Sequence, residues 1–322
     1  MRRWVITGAT GHIGNNLVRL LNAERPEDEV IALLRHPAGP ELAGTHCRMA
    51  VGQLDDEAFL RSVIRAGDAV VHLACRIDLR DRGREETFRV NVGLTEHLLA
   101  VCRTVPVGRF LYAGSVDGIA KSGDGVICEP EDYDPAAVSG NYGRSKAAAM
   151  HRVLQVMRED PDFPAAMVLP TAVIGPEDRK PSAVGRVIRS CIAGKPEFGI
   201  PGGYDFVDVR DVCRALLTLG EGTLRDQYIL SGHPVSVEQL YRDVNRLLGV
   251  RRRPVIFPTA LVRPFVPLTR TLNKITLKAL TEPHCYSCTR ATAAFGYQPT
   301  PWEDTVRDTV EWFRNTAPDS AE

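Results

Sequence analysis

Tyr142 and Lys146 stand four apart in Tyr142-Gly143-Arg144-Ser145-Lys146, one turn along the same face of a helix. A tyrosine phenol titrates at about 10, so alone it is a poor proton shuttle at neutral pH. An ammonium one turn away stabilises the phenolate and lowers that pKa. The pair could then protonate a carbonyl oxygen, or accept the proton of an alcohol. Ser115 follows the apolar run Arg109–Ala113, where its hydroxyl could hydrogen-bond a reacting oxygen and steady its developing charge. Taken singly, a Tyr-x-x-x-Lys pair is common on surface helices and Ser115 reads as a turn serine. Their meaning comes from what precedes them.

Near the start, Thr7-Gly8-Ala9-Thr10-Gly11-His12-Ile13-Gly14 follows a β-like run and opens a helix. Glycines are needed where a backbone turns tightly, approaches a pyrophosphate and packs helix against strand. The N–H groups and partial positive charge of that helix terminus suit phosphates. The pattern therefore predicts a dinucleotide site rather than a plain Gly-rich turn. A positively charged nicotinamide would add to the effect of Lys146 on Tyr142, and Lys146 could also hold its ribose. The next β-like run ends Ala32-Leu33-Leu34-Arg35-His36, without the acid that grips the ribose hydroxyls in an NAD site. Arg35 can pair with a ribose 2′-phosphate instead, or be a solvated surface arginine. NADP(H) is favoured and NAD(H) stays open.

These residues need a scaffold, and the first two-thirds of the 322-residue chain supplies its pattern. Strands are expected at Trp4–Thr7, Val30–Leu34, His46–Val51, Ala69–Leu73, Arg109–Ala113 and Ala165–Pro170. Between them, Asn15–Ala23, Glu57–Ala66, Phe88–Cys102 and Tyr142–Glu159 carry apolar residues at helical spacing. Such alternation predicts an α/β fold with a doubly wound parallel sheet of about seven strands and ligands beyond the carboxyl ends of the strands. After Pro170, Gly175–Tyr204 is broken by Gly, Pro and charge. Val207–Leu219, Val237–Leu248 and Glu303–Phe313 read as helices and Tyr228–Leu230 as a seventh strand. We expect a dinucleotide-binding domain over 1–172, with return segments near 205–231. A smaller mixed substrate lobe would use 173–204 and 232–322.

Lys and Arg number 40, as do Asp and Glu, so charge gives no sign of a nucleic-acid partner. The run before the first glycine is too short for a signal-peptide core, and no stretch nears the roughly 20 apolar residues of a membrane span. Cys47, Cys75, Cys102, Cys128, Cys191, Cys213, Cys285 and Cys288 read as reduced thiols of a cytoplasmic protein. Only His284-Cys285-Tyr286-Ser287-Cys288 has close spacing. It lacks the second ligand pair a zinc site needs, and no metal is expected.

Together these motifs resemble the extended short-chain dehydrogenase/reductase superfamily over nearly the whole chain. TGATGHIG matches its glycine signature and YGRSK its active-site pair. Val71-His72-Leu73-Ala74-Cys75 resembles the fourth-strand segment beside the cofactor, and Arg89-Val90-Asn91-Val92 the helix whose asparagine braces the active site. Leu169-Pro170-Thr171-Ala172-Val173-Ile174-Gly175-Pro176 resembles the segment at the nicotinamide carboxamide, and Phe206-Val207-Asp208-Val209-Arg210-Asp211-Val212 the approach to a later helix. HLACRID at 72–78, FLYAGSVDG at 110–118 and AFGYQPTPWEDTVRDTVEWF at 294–313 look like the branch of 3β-hydroxysteroid dehydrogenases and dihydroflavonol-type reductases.

The resemblance implies a catalytic set of Ser115, Tyr142, Lys146 and Asn91. It implies cofactor contacts from Gly8, Thr10, Gly11, His12, Ile13, Gly14, Arg35, Gln53, Leu54, Leu73, Ala74, Cys75, Ala113, Pro170, Thr171 and Val173, besides Tyr142 and Lys146. Three departures stand out. Gln53 replaces the acid usual before Leu54, Leu169 the arginine common before Pro170, and Gly114 the first of a usual serine pair. Arg35 resembles the NADP-using flavonoid reductases rather than the NAD-using steroid enzymes.

The implied reaction is hydride transfer at a ketone or secondary alcohol of an apolar small molecule that is steroid-, flavonoid- or keto-acyl-like. Ile77, Asp78, Asp117 and Tyr204 are candidates for its wall. From Arg251 to Thr281 there is no acid, while Arg251, Arg252, Arg253, Arg263, Arg270, Lys274 and Lys278 alternate with Phe257, Leu261, Phe265, Val266, Leu268, Leu272 and Ile275. That segment reads as a lid or as a solvated basic face, and four prolines argue against one long helix. Contact of 251–281 with a membrane surface is the weaker reading. Two alternatives remain: a nucleotide-sugar epimerase or dehydratase using bound NAD(P), and a non-catalytic NADP-binding regulator. The chain would act as a monomer or homodimer.

Overall fold

The computed structural model describes residues 1–78, 80–121, 125–264, 274–281 and 285–316. Its strands are β1 (Arg3–Thr7), β2 (Glu29–Leu34), β3 (Arg48–Val51), β4 (Ala69–His72), β5 (Arg109–Ala113), β6 (Val126–Ile127) and β7 (Ala165–Pro170). They continue with β8 (Ala172–Ile174), β9 (Phe198–Gly199), β10 (Gly203–Asp208), β11 (Gln227–Leu230), β12 (His233–Ser236), β13 (Val255–Ile256) and β14 (Cys285–Tyr286). The helices are α1 (His12–Glu24), α2 (Glu57–Val63), α3 (Arg84–Phe88), α4 (Leu94–Thr104), α5 (Gly140–Glu159) and α6 (Ala183–Ile192). Beyond these come α7 (Val209–Glu221), α8 (Val237–Leu247), α9 (Thr259–Val262), α10 (Lys274–Thr281), α11 (Thr289–Phe295) and α12 (Trp302–Thr316).

Seven strands form one parallel sheet in the order β11-β7-β5-β4-β1-β2-β3. Their near-continuous apolar runs suit strands covered on both faces. Against one face, Leu60, Leu98, Leu99, Met150 and Val153 of α2, α4 and α5 close a core with Phe110 and Tyr112. Against the other, Leu17, Val18, Leu216 and Leu219 of α1 and α7 pack on Trp4, Ile6 and Leu111. The strand order reverses between β1 and β4, and such a switch point opens a crevice beyond the carboxyl ends of the strands.

A three-stranded sheet, β12-β10-β8, holds a third core with α6, α8 and α12 through Ile174, Ile188, Phe206, Val244, Trp302 and Val310. β8 begins one residue after β7 leaves the large sheet, and β12 two residues after β11 does. The small sheet therefore hangs from the same carboxyl edge that forms the crevice.

Three expectations are corrected. The helix expected over Val207–Leu219 starts at Val209. Val207 and Asp208 are paired with Val173 and Ile174 in strand, and the Asp208 carboxylate caps the helix by accepting from Arg210 N at 2.8 Å. His46–Val51 shrinks to β3. Phe88–Cys102 is not one regular helix, because a π-helical turn at Arg89–Gly93 separates α3 from α4. In the basic segment, residues 265–273 lie outside the described ones, including Phe265, Val266, Leu268, Arg270 and Leu272. α9 and α10 flank them as separate short helices.

Candidate active site

The phosphate loop is shaped by close approach. Gly8 has φ +70°, and a Cβ there would lie 2.7 Å from Ala74 N at the end of β4. A Cβ on Gly14 would meet Gly8 O at 2.2 Å, so only glycine lets α1 start this close to the turn. Gly11 caps α1 with no side chain bonded to its first N–H groups, and the first turn carries no acid. Those donors are thus turned toward the crevice, as a pyrophosphate needs. Thr10, His12 and Ile13 complete the loop. His12 Nε2 lies 2.9 Å from Pro176 O, tying the loop to the chain after β8, and burial lowers its pKa. Arg35 is exposed at the end of β2 with no ion pair among the described residues. Gln53 is exposed, and Leu54 is buried beneath it. These residues fit a nicotinamide dinucleotide.

Two further glycines decide how α5 meets β5. A Cβ on Gly118 would sit 2.8 Å from Ala147 N, and one on Gly143 would sit 2.8 Å from Asp117 O. Helix and loop therefore touch backbone to backbone, which brings Tyr142 within hydrogen-bond reach of Ser115. Ser115 Oγ also accepts from Asp117 N at 3.1 Å. Lys146 Nζ donates to Ala113 O at 2.7 Å, wholly within the fold. Cys75 is exposed beside Tyr142 and Lys146.

The electrostatics differ from the expectation for Tyr142. Burial pushes its phenol above the ordinary range, and Lys146 pulls it down without fully offsetting that. Burial also works against the charge of Lys146. Tyr112, Cys75 and Tyr142 outweigh it, so the ammonium stays firmly protonated.

Asn91 makes no hydrogen bond to the side chains of this trio among the described residues. Its Oδ1 accepts from Arg76 N at 2.7 Å, and its Nδ2 donates to Arg76 O at 3.0 Å and Ser145 Oγ at 2.8 Å. It pins the chain after Leu73, Ala74 and Cys75 to α5, which is a positioning role. Gly114 also has a reason: a side chain there would strike Met150 Sδ at 2.5 Å and Leu169 Cδ2 at 2.6 Å. Leu169 is wholly buried against that strand end, so the two departures from the family pattern belong to one packing arrangement.

A cavity of about 420 Å³ opens beside Ser115. Val116, Ala172, Tyr204, Val235, Leu280 and Tyr286 supply much of its wall, and Asp117 and Lys121 form an ion pair at 3.8 Å on its rim. Of the wall candidates, Asp117 and Tyr204 line the cavity, and so does Thr171, which was expected at the cofactor. Pro170 ends β7 and Val173 lies in β8, next to the cavity-lining Ala172. Ile77 and Asp78 do not line the cavity. Ile77 is 62% exposed, and the Asp78 carboxylate accepts from Gly83 N at 2.9 Å and Arg82 N at 3.3 Å, closing its own loop. Sequence reasoning missed Lys121 and weighed Tyr286 only through its cysteine neighbours. Their sole signal was proximity in space.

A family model described as "NAD dependent epimerase/dehydratase family" matches residues 4–227. Sterol demethylase protein B of Methylococcus capsulatus is 30% identical, over 96% of this chain and 98% of that protein. A putative dihydroflavonol 4-reductase of Synechocystis is 27% identical, over 96% and 94%. The crystal structure of gox2253 superposes with TM-score 0.85 at 26% identity, covering 98% and 99% of the two chains. UDP-glucose 4-epimerase of Thermotoga maritima shares the fold at TM-score 0.79 and 20% identity, covering 98% and 100%. The motifs, the seven-stranded parallel sheet and these likenesses agree: the chain belongs to the NAD dependent epimerase/dehydratase family, as an NAD(P)-dependent oxidoreductase of the extended short-chain dehydrogenase/reductase type.

Proposed function

We propose that this protein is an NADP(H)-dependent reductase or dehydrogenase acting on a ketone or secondary alcohol of an apolar, sterol- or flavonoid-like molecule. The carrying observation is the cavity beside Ser115. Its wall is largely apolar, and Lys121, already paired with Asp117, is its one cation among the described residues. A nucleotide-sugar diphosphate would favour arginines held for bidentate contact. The names of the Methylococcus and Synechocystis relatives support the same substrate class. Arg35 supports NADP(H), since its guanidinium is exposed and makes no close ion pair among the described residues, which leaves it able to meet a phosphate.

When bound, the nicotinamide supplies or takes up the hydride. Ser115 Oγ hydrogen-bonds the substrate oxygen. The Tyr142 hydroxyl hands its proton to that oxygen in reduction and recovers it in oxidation. Lys146 favours the phenolate and holds the ribose. The lining from β8, β10 and α10 would shield the reacting face once a substrate fills the cavity.

Cofactor consumption with steroid, flavonoid and β-keto-acyl ketones, run with NADPH and NADH in parallel, tests the reading. Steady NADPH oxidation by a ketone is expected. Turnover of a UDP- or dTDP-sugar without net cofactor change would sink it in favour of the epimerase reading, whose fold is shared by the Thermotoga enzyme.

A further inference from the structure

A second tyrosine lies beneath Lys146. Tyr112, on β5, is 2% exposed, and Lys146 Nζ sits 5.1 Å from the centre of its ring. Lys146 and Thr95 both lie near the Tyr112 hydroxyl and favour its phenolate, against burial. The bonds beyond it fix where each proton lies. Thr95 Oγ1 donates its only proton to Asn91 O at 2.8 Å, so it must accept from His72 Nε2 at 2.9 Å and has no proton to offer the nearby Tyr112 hydroxyl. His72 then carries its proton on Nε2 and accepts at Nδ1 from Thr7 Oγ1 at 2.7 Å. Thr7 Oγ1 has the proton to give, because it only accepts from Leu73 N at 3.2 Å and Ala74 N at 3.1 Å. With no donor facing it from Thr95, the Tyr112 hydroxyl can turn its proton that way and present a lone pair to the ammonium.

On the sheet side Lys146 is held by its bond to Ala113 O and by the ring and hydroxyl of Tyr112 close by. The opposite side of the ammonium is left for Tyr142. A lysine ammonium is a compact charge on a flexible stem, and its pull on a phenolate falls with separation. We propose that Tyr112 is a positioning residue for Lys146: its hydroxyl and ring face hold the ammonium one helical turn from Tyr142 and thereby set the proton affinity of Tyr142. The same set of hydrogen bonds reaches Thr7, at the start of the phosphate loop, through His72. The inference rests on the proposed acid–base role of Tyr142.

The test is the ultraviolet tyrosinate titration of the protein saturated with NADP+ or NAD+, whichever binds tighter. Wild type, Tyr112→Phe, Thr95→Val and Tyr142→Phe are compared. Tyr112→Phe keeps the ring and removes the hydroxyl; the Tyr142 midpoint should rise by about one pH unit, a roughly tenfold weaker acid. Thr95→Val, which removes only the group that orients Tyr112, should shift it the same way by less, and it decides alone if Tyr112→Phe does not fold. Folded variants whose midpoint stays put or falls overturn the proposal, leaving Tyr112 as core packing. A wild-type step that survives in Tyr142→Phe would instead remove the acid–base role of Tyr142, and this inference with it. A step lost in Tyr142→Phe but unmoved by the other two variants removes only Tyr112.

Discussion

Arg35 and Tyr142 make separable demands on experiment. Removing a charge-assisted pair to phosphate costs about 1.5–3 kcal/mol, so Arg35→Ser should weaken NADP+ binding about 10- to 100-fold. NAD+ affinity should hardly change. Equal losses for both cofactors, measured by titration calorimetry, would make Arg35 an ordinary surface arginine. Tyr142→Phe should abolish turnover while cofactor affinity stays within a few-fold; retained turnover would end its role in proton transfer. The side chains at this scale were largely legible. Tyr142, Lys146 and Ser115 announce themselves by type and spacing, and the structure brings them together. The net direction of the Tyr142 pKa was not legible. Spacing reveals the lysine, whereas burial, the larger influence, depends on what folds over the hydroxyl.

At the level of elements, the site depends on α5 lying directly on the loop after β5. Gly143→Ala puts a methyl carbon 2.8 Å from the Asp117 carbonyl, which must move. Overpacking of this kind costs about 1–3 kcal/mol. Misplacing reacting groups by an ångström can cost about 100-fold in rate. We expect a folded variant with kcat down at least about tenfold and cofactor binding little altered. A kcat unchanged in the face of a lowered melting temperature would show that the contact matters for stability alone. Amphipathic periodicity located α5 well, as it did α1. It could not show the π-helical turn at Arg89–Gly93, which arises where Asn91 turns inward to hold Arg76 and Ser145. Nor could it show β8, β10 and β12, whose short runs become strands only by pairing with one another.

For the whole molecule, His72 makes stability depend on pH. It is buried among Thr7, Thr95 and Tyr112, and burial, helped by Lys146, pushes its pKa down to about 3. Above the unfolded value of about 6.5 it is neutral in both states and costs nothing. As pH falls from there toward 3, the unfolded chain takes up a proton that the native one refuses. Stability then drops by up to about 1.4 kcal/mol per pH unit. His12, also lowered by burial, acts in the same direction. Urea midpoints should therefore fall between pH 6.5 and 4.5, and His72→Gln should flatten that slope. An unchanged slope would place the pH dependence elsewhere. The sequence by itself determined the parallel sheet, the glycine loop and the constellation of Ser115, Tyr142 and Lys146, because these rest on local periodicity, on backbone geometry only glycine allows, and on one helical turn. Tertiary structure alone decided the cavity wall, the loop-bound fate of Asp78 and the hydrogen bonds that run from Thr7 through His72 to Thr95. Each of those joins segments distant in the chain, and burial and hydrogen bonding between such segments exist only once the sheet has assembled them.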